Sequence, residues 1–412
     1  MEDKLASIKG FLEKYNQEHI LRWYDELKEE EKDELLGKVS NIDFELLNSI
    51  YLKKDKKIDI FNNVIEPIKV IDIKEIDNEQ LNRYISIGEK SICNNEYAVV
   101  TMAGGQGTRL GHNGPKGTFM LQLDPPKSIF EILCNKFKRI QEKYNVILPW
   151  YIMTSNQNHN ETVSFFEYNK YFGYPKEAIT FFPQGELPML DESGRILMEE
   201  KWKIKEGPDG NGGIFEALNK SGIINKLNEE NIKWIYVGGV DNILANVIDL
   251  LLLGMTIDKG YELSSKSIAK NSPEEKGGVF CRKNGKVSVI NYNEMTQEMS
   301  MQTNEQGDLV YGDMNILSHL FSINALNKIK DTKLEYHVDY KKANYIDEAG
   351  NKVIVDSPNA YKFETYMFDC LELFDDMLVL RSIREKEFAP IKNKDGVDSP
   401  QTATQMYLNS IK

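Results

Sequence analysis

Between residues 93 and 340 the chain alternates short, nearly all-apolar runs with stretches in which apolar residues recur every three or four positions. Tyr97, Ala98, Val99, Val100 and Met102 form the first run, and Pro149–Thr154, Ala178–Phe182 and Ile232–Val240 form three more. Runs of this length suit strands buried on both faces. Ser128–Tyr144 places Ile129, Phe130, Ile132, Leu133, Phe137 and Ile140 on one helical face, and Glu161–Phe172 reads as a second helix. A third amphipathic helix is expected around Ile214, Phe215 and Leu218, and a fourth over Val247–Leu253. Strands alternating with helices predict an α/β fold built on a mostly parallel sheet. Tyr261–Ala269, Gly277–Phe280 and Val287–Met295 read instead as antiparallel strands, with a turn at Lys283-Asn-Gly-Lys. Leu317, His319, Leu320 and Phe321 lie at helical spacing, with His319 expected as a structural residue of that face.

The first 92 residues read as helical, from Leu5, Ile8, Phe11, Leu12 and Tyr15 through Leu21, Tyr24 and Leu27. The acidic run from Asp25 to Glu34 reads as a solvated helix pair. The pattern therefore divides the chain into a helical segment (1–92), an α/β domain (93–378) and a small C-terminal segment (379–412).

Composition narrows the partners. The 412 residues are 41% hydrophobic and carry a net charge of −13, which disfavours a nucleic acid ligand. Cys93, Cys134, Cys281 and Cys370 are widely spaced, as in a reduced, cytoplasmic protein. The start lacks the apolar core of a signal peptide, and the apolar run at Leu250–Leu253 is far too short for a membrane span. A soluble, cytoplasmic protein with no membrane partner is expected.

Against this acidic background, one loop stands out. Val99 to Gly117 reads Val-Val-Thr-Met-Ala-Gly-Gly-Gln-Gly-Thr-Arg-Leu-Gly-His-Asn-Gly-Pro-Lys-Gly, and no acidic residue occurs from Thr101 to Leu123. Glycines leave no Cβ to block a close ligand, and successive amides can converge on one anion. Arg109 and Lys116 add two positive charges, which together predict a polyphosphate site. The dinucleotide fingerprint fails because Leu110 stands where its third glycine belongs. The P-loop fails because Gly117, not Ser or Thr, follows Lys116.

The string instead resembles the signature of the sugar-1-phosphate nucleotidyltransferases, and its Gly-Gly-Gln-Gly-Thr-Arg-Leu-Gly form looks like the eukaryotic-type UDP-N-acetylhexosamine pyrophosphorylases. Further motifs carry the likeness over about residues 90–405: Pro183-Gln-Gly, Pro208-Asp-Gly-Asn-Gly-Gly, Asp313-Met-Asn-Ile, Lys362-Phe-Glu, and Arg384-Glu-Lys-Glu-Phe-Ala-Pro-Ile-Lys-Asn. The resemblance implies a Rossmann-like nucleotide-diphospho-sugar transferase core in the 93–378 domain, with the 379–412 segment contributing to the site. It assigns Ala103, Gly104, Gly105, Gln184 and Gly210 to the nucleotide. It assigns Asn211, Gly278, Asn291, Tyr292, Glu294, Asn315 and Phe368 to the sugar, and Lys392 to the phosphates. Read by themselves, Gln184 is either a turn residue or an amide that pairs with a base edge, and the glycines before Ile214 either form turns or present free amides at a helix start. Asp241, directly after the Ile232–Val240 run, is either a Mg²⁺ ligand or, with Asn242, a helix cap.

The implied reaction joins UTP and a sugar-1-phosphate into a UDP-sugar and pyrophosphate, with Arg109, Lys116 and Lys392 catalytic and Mg²⁺ on Asp241. The nucleophile is already an anion, which suits a chain with five histidines and no visible triad. The expected sugar is N-acetylglucosamine-1-phosphate. Asn291-Tyr-Asn-Glu294 departs from the family's Glu-Tyr-Ser-Glu, which keeps glucose-1-phosphate and galactose-1-phosphate as alternatives. A non-catalytic binder of nucleotide sugars on the same fold is the alternative from another class.

Overall fold

The computed structural model describes residues 2–54 and 63–411; the part of the expected helical segment at 55–62 lies outside the described residues. The chain forms two compact units. One gathers Met1–Asp59, Gly185–Gly213 and Leu334–Met367; the other gathers Ile60–Gln184, Ile214–Lys333 and Phe368–Lys412.

The larger unit is built on an eleven-stranded sheet. Its strands in chain order are β1 (Ile65–Pro67), β2 (Ile71–Asp72), β3 (Tyr97–Met102), β4 (Trp150–Thr154), β5 (Ile179–Pro183), β6 (Trp234–Gly239), β7 (Leu263–Ala269), β8 (Val279–Lys283), β9 (Lys286–Ile290), β10 (Asp313–Ser322) and β11 (Leu378–Arg381). The main path runs β2-β11-β7-β10-β6-β3-β4-β5, with β8 leaving it from β10 and pairing β1 and β9. Parallel pairs join β6 to β3, β3 to β4 and β4 to β5, so the four apolar runs are adjacent strands, with β5 at the edge of the sheet. All residues of β3 and β4 are buried. Even there polar groups are satisfied: the Trp150 indole donates to Thr101 Oγ1 at 2.8 Å. The β8–β9 hairpin turns at Asn284 and Gly285, whose φ values of 51° and 80° give the left-handed pair that such a turn needs.

Several elements differ from the sequence pattern. Residues 313–322 form a strand, antiparallel to both β6 and β7. Leu317 (φ 56°) and a register shift between Ser265 and Ser267 break its alternation, and residues 318–322 are buried throughout, so burial on both faces imitated helical spacing. His319 is structural as expected: its Nδ1 bonds Ser265 Oγ, and burial lowers its pKa to about 3. The fourth helix starts at Leu250, not Val247, capped by Asp249 Oδ1, which accepts from the Leu252 amide at 3.0 Å. Residue 92 lies in the last turn of the helix Asn78–Cys93, and residue 378 opens β11, which is seated between β2 and β7. Neither expected boundary is therefore an edge between units, because each falls within an element that this sheet or its covering helices require.

The smaller unit packs the helices Glu2–Lys14, Glu29–Ser40 and Phe44–Tyr51 against two-stranded ribbons, Glu186–Pro188 with Glu206–Pro208 and His337–Lys341 with Ala360–Glu364. Leu12, Leu35 and Leu36 form its core with Leu190, Ile196 and Phe363. Buried Gln17 donates to Gly194 O and accepts from the Ile196 amide, both at 2.8 Å. The expected continuation through Leu21, Tyr24 and Leu27 is two short 3₁₀ turns, and the acidic run supplies one α-helix rather than a pair. Phe11 is exposed, off the buried face of Ile8 and Leu12. Among the described residues no helix is long and apolar enough to cross a membrane.

One packing contact admits no side chain. The helices Asn78–Cys93 and Leu250–Lys259 touch backbone to backbone: a Cβ at Gly254 would lie 1.7 Å from Tyr84 O, and one at Gly88 would lie 2.2 Å from Leu250 O. Gly254→Ala must push the helices apart, and a loss of about 3 kcal/mol is expected, at the upper end of ordinary overpacking. Urea unfolding followed by circular dichroism checks it; a loss below about 1 kcal/mol would mean the helices slide apart freely.

Candidate active site

Parallel strands leave a sheet from the same edge, and the conspicuous polar segments of the larger unit collect at that edge. After β3 the chain turns at buried Ala103, whose amide donates to Met153 O at 2.7 Å. The loop then closes on itself: the Gly107 amide donates to Gly114 O at 2.9 Å and the Lys116 amide to Gly105 O at 3.0 Å. Gly111 (φ 72°) and Gly114 (φ 153°) hold conformations that glycine adopts without strain. Gly105 is exposed, with nothing within 4 Å of where a Cβ would stand, which leaves open space for a close ligand. Arg109 is exposed on the same loop. An acid reaches it from elsewhere in the chain: a Cβ at Gly114 would lie 2.6 Å from Glu161 Oε1, on the first turn of the helix His159–Tyr168.

Asn158 holds this loop, and the motif reading missed it. It is fully buried, donates through Nδ2 to Ala103 O at 3.0 Å and to Gly105 O at 3.5 Å, and accepts the Ser155 amide on Oδ1 at 2.8 Å. Its position four residues beyond the end of β4 was the available signal, since ligand loops of parallel sheets follow strand ends. Gln184 follows β5 directly. Its amide N–H donates to Thr154 O at 2.7 Å, and its side chain lies so near Gly104 that a Cβ there would be 2.5 Å from Oε1. Gln184 therefore stands beside the glycine loop.

Asp241 follows β6, the neighbour of β3. Lys116 Nζ lies 4.0 Å from Asp241 Oδ2, with the two side chains 21% and 28% exposed. The cap reading of Asp241 is excluded, because Asp249 caps the helix. Asn242 instead ties down the C-terminal segment, donating to Glu387 O at 2.8 Å and accepting from the Ala389 amide at 2.9 Å. Asp241 O accepts the Ile391 amide at 2.9 Å, which brings Lys392 to the same edge of the fold. Lys392 is exposed, with Nζ 3.6 Å from Asp398 Oδ2 and 5.5 Å from the centre of the Phe388 ring. Among the described residues no group of three or more His, Cys, Asp or Glu could hold a metal ion. Asp241 offers one carboxylate, which suits a cation that takes its other ligands from phosphate and water.

A second cluster forms beyond β8 and β9. The Asn315 amide donates to Gly278 O at 2.8 Å, and Asn291 Oδ1 lies 3.5 Å from where a Gly278 Cβ would stand. Glu294 Oε2 accepts the Asn291 amide at 2.8 Å, closing the turn that presents half-exposed Tyr292. Gly278, Asn291, Tyr292, Glu294 and Asn315 are thus drawn together from three stretches of chain. Phe368, in the same unit, is partly buried.

Gly210 and Asn211 belong to the smaller unit. Gly210 (φ 88°) passes the Thr365 backbone so closely that a Cβ would lie 2.2 Å from Thr365 O, and Asn211 Oδ1 accepts the Met367 amide at 2.9 Å. The expected free amides are not found at Gly212 and Gly213, which donate to Thr365 O at 2.9 Å and to Gly210 O at 3.3 Å.

Known proteins resemble this chain along most of its length. The family model described as UTP–glucose-1-phosphate uridylyltransferase matches residues 42–398. UDP-N-acetylglucosamine diphosphorylase 2 of Arabidopsis thaliana is 35% identical, over 96% of this chain and 82% of that protein. UDP-N-acetylglucosamine pyrophosphorylase of Saccharomyces cerevisiae is 36% identical over 81% and 72%. The crystal structure of the uridine diphosphate N-acetylglucosamine pyrophosphorylase from Trypanosoma brucei in complex with inhibitor superposes with a TM-score of 0.85 at 30% identity, covering 99% of this chain and 85% of that one. With motif order, sheet and matched length in agreement, the chain belongs to the UTP–glucose-1-phosphate uridylyltransferase family.

Proposed function

We propose that this protein is a uridylyltransferase that makes UDP-N-acetylglucosamine and pyrophosphate from UTP and N-acetylglucosamine-1-phosphate. One observation carries the chemistry. Lys116 and Asp241 stand 4.0 Å apart at the carboxyl ends of adjacent parallel strands, beside an open glycine-rich loop. Relatives named for UDP-N-acetylglucosamine, at 35% and 36% identity, support the sugar. The cysteines, all free, support a cytoplasmic location.

In the reaction, a phosphate oxygen of the sugar-1-phosphate attacks the α-phosphorus of UTP. The bond from that phosphorus to the oxygen bridging to the β-phosphorus breaks, and pyrophosphate leaves with the electron pair. No proton need be removed from the nucleophile, so the chain's task is in-line positioning and neutralisation of converging charge. The loop from Ala103 to Gly105 receives the nucleotide, Gln184 reads the uracil edge, and Arg109 and Lys116 hold the departing pyrophosphate. Lys392 exchanges Asp398 for the sugar phosphate. Gly278, Asn291, Tyr292, Glu294, Asn315 and Phe368 take the sugar. Asp241 would hold a Mg²⁺ ion, which when bound offsets the negative charge of the phosphates.

Lys116→Ala is expected to lower kcat about 100- to 1,000-fold while changing the KM for UTP little, because its charge counts most as pyrophosphate departs. Steady-state assay of pyrophosphate release decides this; an unchanged kcat with a raised KM would make Lys116 a ground-state binder.

Asp241→Asn keeps the shape of a partly buried side chain and removes no cap, so its thermal midpoint should match wild type while turnover disappears. Chelation with EDTA should silence the wild type, and added Mg²⁺ should restore it. Activity in EDTA would exclude the metal role, and a lower melting temperature in Asp241→Asn would expose a structural one.

For the sugar, kcat/KM with N-acetylglucosamine-1-phosphate should exceed that with glucose-1-phosphate or galactose-1-phosphate. The reverse order would overturn the sugar assignment and point to Asn291, whose replacement by Glu should then shift the preference.

A further inference from the structure

Beneath the Asp241 loop lies a cluster of charges that the reaction does not touch. Lys266, on β7, is completely buried; its ammonium pairs with Asp249 and, at 2.8 Å, with Glu387 Oε1. Burial alone would lower the Lys266 pKa, but the two carboxylates outweigh it and raise it. Lys136, on the helix Ile129–Tyr144, donates to Ile243 O at 2.9 Å and to Ala245 O, and its burial pulls its pKa down to about 7. Glu387 Oε2 also accepts the Asn246 amide at 3.1 Å. Each group thus grips either the loop 241–249 or the segment that carries Lys392.

The two segments are laced along their length. Asn242 bonds Glu387 O and the Ala389 amide, Asn242 and Pro390 form an antiparallel bridge, and the Ile391 amide reaches Asp241 O. Lys392 follows in the next position. We propose that Glu387, held by Lys266, is a positioning residue that fixes the segment 387–391 against the Asp241 loop and so sets where Lys392 meets the sugar phosphate. Two features of the cluster fit this role better than general stabilisation. A buried ion pair is weak evidence for stability, since its desolvation offsets its attraction. All its contacts also converge on two stretches that each carry a functional side chain.

The inference rests on the uridylyltransferase reading, and two measurements separate the failure of one from the failure of the other. Hydrogen exchange followed by mass spectrometry needs no activity. In Glu387→Gln the amides of 388–392 should exchange about 10-fold faster or more, while those of β3 stay protected as in wild type. Faster exchange throughout the sheet, or none, overturns the proposal.

The second measurement is a mutant cycle with Lys392→Ala. Glu387→Gln alone should lower kcat about 10- to 100-fold, the scale of a displaced reacting group, with little change in the KM for UTP. In the Lys392→Ala background the same change should cost less than about 2-fold, because its effect passes through Lys392. Equal losses in both backgrounds overturn the proposal. If Glu387→Gln does not fold, Asn242→Ser cuts the same lacing without stranding a buried charge and should give the same pattern in both measurements. A wild type that turns over no sugar phosphate overturns the uridylyltransferase reading, and the exchange measurement then decides the positioning role by itself.

Discussion

Two strands that run parallel must release their chains at the same edge, and the active site depends on this constraint. Strands β3 and β6 pair in register from Tyr97 opposite Trp234 to Met102 opposite Gly239. The glycine-rich loop and the Asp241 loop consequently leave side by side, although about 140 residues separate them in sequence. Backbone hydrogen bonds make the pairing and burial keeps water away from them, since β3 has no exposed residue. Everything chemical stands on the far side of that dry layer, where backbone amides and charged side chains can face a ligand.

Charge is handled in two ways around this edge. In the loop itself, Lys116 and Arg109 remain partly or wholly exposed, so their charges are available to phosphate. Behind the loop, Lys266 is fully enclosed and Lys136 partly buried, and both are spent on carbonyls and carboxylates of the chain. The same residue type is therefore left open to solvent at one depth and tied into the fold at another. Dielectric explains the division: a buried ammonium must be compensated within the fold, whereas a half-exposed one trades water for phosphate.

The glycines divide in a similar way. Gly105 leaves space for a ligand, whereas Gly88 and Gly254 leave space for each other's helix backbone. Composition cannot separate these uses. Only the first lies in a motif that follows a strand and carries cations.

The sequence by itself determined the four adjacent parallel strands, the antiparallel hairpin and the loop chemistry, because each is a local property: apolar runs of strand length, an Asn-Gly turn, glycines beside Arg109 and Lys116. It also carried the family likeness, through motifs kept in order along most of the chain. Only the tertiary structure decided that residues 313–322 are a strand, since a strand buried on both faces shows no period of two. It likewise decided that β11 completes the sheet from beyond residue 378, and that Asp249 rather than Asp241 caps the helix. Asn158, Asn242, Lys136 and Lys266 gave no signal strong enough to read, because what they do is set by partners tens or hundreds of residues away. A motif records what a loop offers to a ligand; what holds that loop in place is recorded only where distant segments meet.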